Sequence, residues 1–290
     1  MLVKKVRTFG EMIKFEHTVF ALPFAYLGAF FAHKGIPAAS DLFWITMAMV
    51  GARTAAMSLN RLIDRHIDAK NPRTAQRHLP QGLITVKEVW LYIILSFALL
   101  LVSAWQLNPL HLTVPLTVKL MPIAVFFLSF YSFTKRFTWL CHIVLGISIG
   151  LAPVGSWVSI TGRIEFPAIL LGLAVATWIA GFDVIYACQD VEFDRRENLY
   201  SIPVRFGIRA ALWISNGLHI LTMVFLVWVG ISLHLEIFYW LGIAVSTIIL
   251  VYEHSIVSPT DLSRLNVAFF NMNGILSVIL FLFTLINYFH

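Results

Sequence analysis

Asn60, Asp64 and Asp68 recur at every fourth position of the stretch Asn60-Arg61-Leu62-Ile63-Asp64-Arg65-His66-Ile67-Asp68. On an α-helix that spacing stacks their side chains on one face over about two turns. Three oxygen-bearing side chains so arranged suit a hard divalent cation such as Mg²⁺. Arg61, Arg65 and His66 lie beside them. Metal and cations together point to a bound polyanion, a phosphate ester. A second set, Asp183, Asp190 and Asp194, falls at i, i+7 and i+11, again on one helical face. Two facing acidic sets can hold metals that bridge one diphosphate.

Each set ends an apolar run, Leu42–Leu59 for the first and Ala168–Ile185 for the second. Hydrophobic residues make up 59% of the chain and charged residues only 12%. A soluble domain carries roughly twice that charged fraction. The chain reads as an all-α, polytopic membrane protein, with residues 1–290 forming one domain. About nine spans are expected, near His17–Ala32, Leu42–Leu59 (continuing helically through Asp68), Trp90–Gln106, Leu112–Phe133, Leu140–Ile160, Ala168–Asp190, Ala211–Ile231, Ile237–Glu253 and Val267–Phe289. Pro115 and Pro122 are expected to kink the fourth, and glycines in the fifth to permit close helix packing. Glu11–Phe15 reads as an amphipathic lead-in on the membrane surface, and 192–208 as a polar loop.

Basic residues orient these spans. Lys4, Lys5, Arg7 and Lys14 precede the first, and further Lys and Arg follow the second, fourth, sixth and eighth, whereas the opposite loops carry only Lys34 and Arg163. The positive-inside rule then puts the N-terminus, both acidic sets, Lys135 and Arg136 on the cytoplasmic side of the inner membrane. The rule uses no carboxylates, so the agreement independently supports one shared site. The net charge of +6 is loop charge rather than a nucleic-acid footprint. No cleavable signal peptide is expected, and Cys141 and Cys188 read as reduced packing residues.

Arg53 lies seven residues before Asn60, on the same face and about two turns deeper. An intramembrane Arg needs an anion; the bland alternative is a structural pair with Asp183 or Glu16. Lys119 reads as snorkelling, and His17 and His142 as packing or interfacial residues. There is no His-Glu-x-x-His pattern and no P-loop. A lipid diphosphate fits these parts. Mg²⁺, Lys and Arg would neutralise its departure, and dry aromatic walls would guard an allylic cation until an electron-rich ring attacked it.

These residues resemble the UbiA superfamily of intramembrane prenyltransferases, in particular its 4-hydroxybenzoate polyprenyltransferase-like branch. Asn60, Asp64 and Asp68 match its first motif, with Arg61 in place of an Asp; Arg73, Arg77, Leu79, Pro80 and Gly82 match the loop that follows. Tyr131 and Lys135 match its Tyr-x-x-x-Lys motif, and Asp183, Tyr186, Asp190 and Asp194 its second acidic motif. Arg53 matches a deep Arg of the family, and Lys14-Phe15-Glu16-His17-Thr18 with Asn60-Arg61 looks more like the naphthoate prenyltransferases of the futalosine route to menaquinone.

The resemblance implies a nine-helix bundle around a central cavity with a cytoplasmic cap. It implies Mg²⁺-dependent transfer of a polyprenyl group from its diphosphate to an aromatic acid. Asn60, Asp64, Asp68, Asp190 and Asp194 would bind metal and diphosphate, and Lys135, Arg136, Arg73 and Arg77 phosphate oxygens. Tyr131 would position the leaving group or cation, Asp183 or Asp190 would accept the phenolic proton, and Arg53 or Lys14 would pair with the acid's carboxylate. Two alternatives remain. One is a relative acting on haem, chlorophyll or a glycerol phosphate lipid. The other is a secondary transporter, whose carboxylates would sit near the bilayer midplane rather than at helix ends beside cations.

Overall fold

The computed structural model describes residues 8–13, 16–265 and 267–289, apart from the side chains of 16–21 and 269–271. Lys14 lies outside the described residues, as do the side chains of Glu16 and His17. Among the described residues the regular structure is helical: α1 Glu16–His33, α2 Ala39–Lys70, α3 Val86–Gln106, α4 Leu116–Thr134, α5 Cys141–Thr161, α6 Phe166–Ala187, α7 Val191–Arg196, α8 Ile202–Phe206, α9 Ile208–Ser232, α10 Ile237–Ser255 and α11 Asn273–Phe289.

Among the described residues, seven helices are long and apolar enough to cross a membrane, and two shorter apolar helices, Leu22–His33 and Asn273–Phe289, accompany them. The last expected span is divided, because Val267–Met272 forms a π-helical turn before α11. Pro115 does not kink α4; it is the N-cap, where a fixed φ and a missing N–H cost nothing. Pro122 does lie inside that helix. The expected loop after α6 is itself helical in two short pieces. In α8, the Ser201 hydroxyl caps the first turn by accepting from the Val204 N–H.

Helix α6 is the most enclosed, with 67% of its apolar window buried against 11% for α4. Its flank packs into a core that includes Leu27, Phe31, Leu171, Val175, Leu226 and Leu280. A seam of small residues locks α5 against it. A Cβ on Gly146 would run into the Ala176 carbonyl, and one on Gly150 into the Gly172 carbonyl. That approach needs the absence of side chains. Of the expected lead-in Glu11–Phe15, Lys14 and Phe15 lie outside the described residues, and Met12 and Ile13 are buried against Leu59, Leu62, Val89 and Ile93 of α2 and α3.

Candidate active site

The ends of α2, α4 and α6, with the loop after α2, surround one cavity of about 670 Å³. Asn60, Asp64, Arg73, Arg77, Tyr131, Lys135, Asp183, Asp190 and Asp194 all line it. Asp68 and Arg136 stand behind that wall through their ion pairs with Arg77 and Asp64.

Each buried carboxylate of the first set meets cations. Asp64, 2% exposed at its side chain, receives Lys135 Nζ at 3.1 Å on Oδ2 and Arg136 at 2.8 Å on Oδ1. The Asn60 amide also donates to Asp64 Oδ2, at 3.0 Å, which shows directly that the four-residue spacing shares a face. One Arg77 nitrogen lies 2.7 Å from each Asp68 oxygen. Arg136 is anchored to the backbone too, donating to the carbonyls of Ser132 and Ile63.

The second set is divided by a 3-10 turn, Cys188–Asp190, so Asp183, Asp190 and Asp194 do not share one continuous helical face. They nevertheless reach the same cavity. Asp190 is clasped by Arg73, Nε to Oδ1 at 3.0 Å and Nη2 to Oδ2 at 2.6 Å. The remaining Arg73 nitrogen donates to the Tyr186 hydroxyl at 3.0 Å. Burial alone would lower the Arg73 pKa, but its hydrogen bonds and charge pairing with Asp190 outweigh that and raise it. Asn71 reinforces the clasp: its amide donates to Asp190 Oδ1, and its carbonyl oxygen accepts from the Arg73 N–H.

Arg53 stands where this cavity meets a second, more apolar one of about 370 Å³. Met57, Tyr131, Leu145, Ile149 and Ala152 share that boundary. The Tyr131 hydroxyl donates to the Ala56 carbonyl at 3.3 Å. Asp183 is partnered by His142, with 2.6 Å between Oδ2 and Nδ1. Arg61, the residue replacing a motif acid, is 5% exposed and donates to the Met12 carbonyl and to Asn60 Oδ1.

Residues 21–275 match the UbiA prenyltransferase family. The chain belongs to that family. It is therefore a membrane-embedded prenyltransferase. Over 240 residues it is 32% identical to the 4-hydroxybenzoate octaprenyltransferase of Chromohalobacter salexigens, an alignment covering 83% of this chain and 78% of that one. The apo structure of a UbiA homolog from Aeropyrum pernix K1 superposes with a TM-score of 0.84 at 29% identity, covering 93% of this chain and 98% of that one. A UbiA homolog from Archaeoglobus fulgidus, bound to GPP and Mg²⁺, shares the fold, with a TM-score of 0.71 at 23% identity over 98% of this chain and 100% of that one.

Sequence reasoning did not assign His142 and Asn71 to this UbiA-family site. His142 reads from sequence as a packing or interfacial residue, because its partner lies 41 positions away and meets it only through the α5–α6 seam. Asn71 did carry a signal: it follows the acidic helix end directly and precedes Pro72, a common place for a turn-forming side chain.

Proposed function

We propose that this family member transfers a polyprenyl group from its diphosphate to an aromatic acid, 4-hydroxybenzoate or a dihydroxynaphthoate, in quinone biosynthesis. The observation that carries this reading is the joining of the two cavities. An acidic and basic chamber suited to a metal-bound diphosphate opens beside an apolar one suited to a hydrocarbon chain.

The donor set fits Mg²⁺. Among the described residues no three His, Cys, Asp or Glu side chains converge as a ready-made metal site. Mg²⁺ needs no such cage, since it is commonly held by one or two carboxylates plus substrate phosphates. Asp190 and Asp194 from one side, and Asp64 with Asn60 from the other, offer hard oxygens into one space. Asp68 serves the same end from behind Arg77. The bound metal would offset the charge that builds on the departing diphosphate.

The protein's own groups do the rest. Lys135, Arg136, Arg73 and Arg77 leave their carboxylates in part to grip phosphate oxygens. The apolar chamber, with Ile45, Met49, Leu100, Leu120 and Val158 in its wall, holds the first isoprene units and excludes water. The Tyr131 ring faces the allylic carbon at the boundary. Arg53 pairs with the acid's carboxylate. Asp183 is the better proton acceptor of the two candidates, because both oxygens of Asp190 are engaged by Arg73. The excess of Lys and Arg in the loops on this side supports the cytoplasmic face as the side of this chemistry.

Purified protein in lipid nanodiscs should convert geranyl diphosphate and 4-hydroxybenzoate, or 1,4-dihydroxy-6-naphthoate, into a prenylated acid. Chelation should stop the reaction and Mg²⁺ should restore it. Product from neither acid, with transfer to a glycerol phosphate lipid or haem instead, would overturn the acceptor class.

A further inference from the structure

We infer that His142 is a positioning residue for the proton acceptor Asp183, a neutral imidazole whose tautomer is set by the Ile202 backbone. The inference rests on the aromatic-acid reading above and adds the device that holds its base.

His142 sits in the first turn of α5 and is 3% exposed. Its Nε2 accepts the Ile202 N–H at 3.4 Å. A nitrogen that accepts keeps its lone pair, so the proton of the neutral ring resides on Nδ1. Nδ1 therefore donates to Asp183 Oδ2 at 2.6 Å. Both residues border the large cavity, but the Asp183 side chain is 25% exposed against 4% for His142, so Asp183 presents the more open surface to a substrate. A donor fixed behind a carboxylate stabilises the ionised form and restricts its rotation. The backing is rigid at both ends. Gly146, one turn after His142, seats α5 on Ala176 and Ala180, about two turns and one turn before Asp183. Ile202 is held in the first turn of α8, which Ser201 caps. Tyr200 and Ser201 line the cavity, so the segment that sets the tautomer also forms part of the substrate wall.

In the step this serves, Asp183 takes the phenolic proton of the acceptor. The C1–O bond of the prenyl diphosphate breaks, its electron pair leaving with the diphosphate, and an electron-rich ring carbon bonds to C1. That carbon then loses its own proton to water, which restores the aromatic ring, and Asp183 returns its proton to the phenolate oxygen. One proton is released overall, and His142 keeps its Nδ1 proton throughout.

The test compares His142→Leu with His142→Asn, whose amide nitrogen stands near the place of Nδ1 and can still donate. Geranyl diphosphate with either aromatic acid is the probe. In the Leu variant kcat should fall by about 100-fold, the scale of a mispositioned general base, while KM for geranyl diphosphate stays within about twofold. The Asn variant should recover most of kcat. A Leu variant with wild-type kcat, an Asn variant no better than Leu, or a parallel loss of diphosphate affinity would overturn the role. Solid-state ¹⁵N spectra of histidine-labelled protein supply a readout independent of turnover. The resonance missing from His142→Asn should belong to a neutral ring protonated at Nδ1. A ring protonated at Nε2 would overturn the inference even in a fully active enzyme. A wild-type protein that prenylates neither acid but shows the Nδ1–H ring would instead sink the acceptor reading and leave the hydrogen-bond arrangement standing.

Discussion

Arg73, on the loop after α2, holds Asp190, at the end of α6, through two parallel hydrogen bonds of 3.0 and 2.6 Å. The contact joins the loop that follows the first acidic set to the second set, across 117 positions of sequence. It also neutralises a carboxylate proposed to face metal. Metal and guanidinium then compete for the same Asp190 oxygens, and diphosphate and Asp190 for the same guanidinium. Arg73→Gln should therefore strengthen binding of Mn²⁺ alone, read by electron paramagnetic resonance, and weaken binding of geranyl diphosphate in its presence. Arg73→Lys should behave like Gln, because a single ammonium cannot reproduce a two-pronged clasp. Unchanged Mn²⁺ affinity in both variants would mean that Arg73 does not hold Asp190 in reserve.

Asp68 is nearly closed off from solvent, and Arg77 covers both its oxygens. Arg77→Ala leaves that charge buried without its partner, a change that costs about 3–5 kcal/mol. The thermal midpoint should drop well below that of wild type. The double variant Arg77→Ala, Asp68→Asn should regain much of the loss, since it removes the stranded charge. A single variant as stable as wild type would show that the pair is incidental.

Arg61 lines the cavity and also ties the N-terminal segment to it, through the Met12 carbonyl. Restoring an acid with Arg61→Asp should not improve turnover. It removes the donor and places a second carboxylate three residues from Asp64, and folded stability should fall by about 1–3 kcal/mol. Limited proteolysis should cut the variant sooner near residues 8–13. Equal resistance in variant and wild type would refute the tether.

Gly146 sets the distance between α5 and α6. Gly146→Leu has no space against the Ala176 carbonyl and should abolish folded protein. Gly146→Ala should fold less stably and lose turnover more than diphosphate binding, because it parts His142 from Asp183. Wild-type kcat in Gly146→Ala would show the seam to be more yielding than its packing implies.

Much of this arrangement was legible from local spacing. Carboxylates four apart on α2 had to share a face, and Asn60 does bond to Asp64. A lone Arg seven residues deeper had to reach the same space, and Arg53 lines it. Tertiary contacts were not legible in the same way. Asp183 bonds to His142, brought there by a glycine seam whose register no local pattern encodes. The 3-10 turn at Cys188–Asp190 and the π-helical turn at Val267–Met272 escaped for a related reason. Apolar periodicity continues through both, and only backbone geometry interrupts it.

Carboxylates from both helix ends that act on one diphosphate must be coupled through it. A double-mutant cycle on Asp64→Asn and Asp190→Asn, read as binding of the unreactive geranyl thiolodiphosphate with Mg²⁺, tests that coupling most directly. A shared ligand predicts coupling, with the double variant departing from the sum of the singles by about 1 kcal/mol or more. Strict additivity, or tight binding that persists in the double variant, would contradict the account.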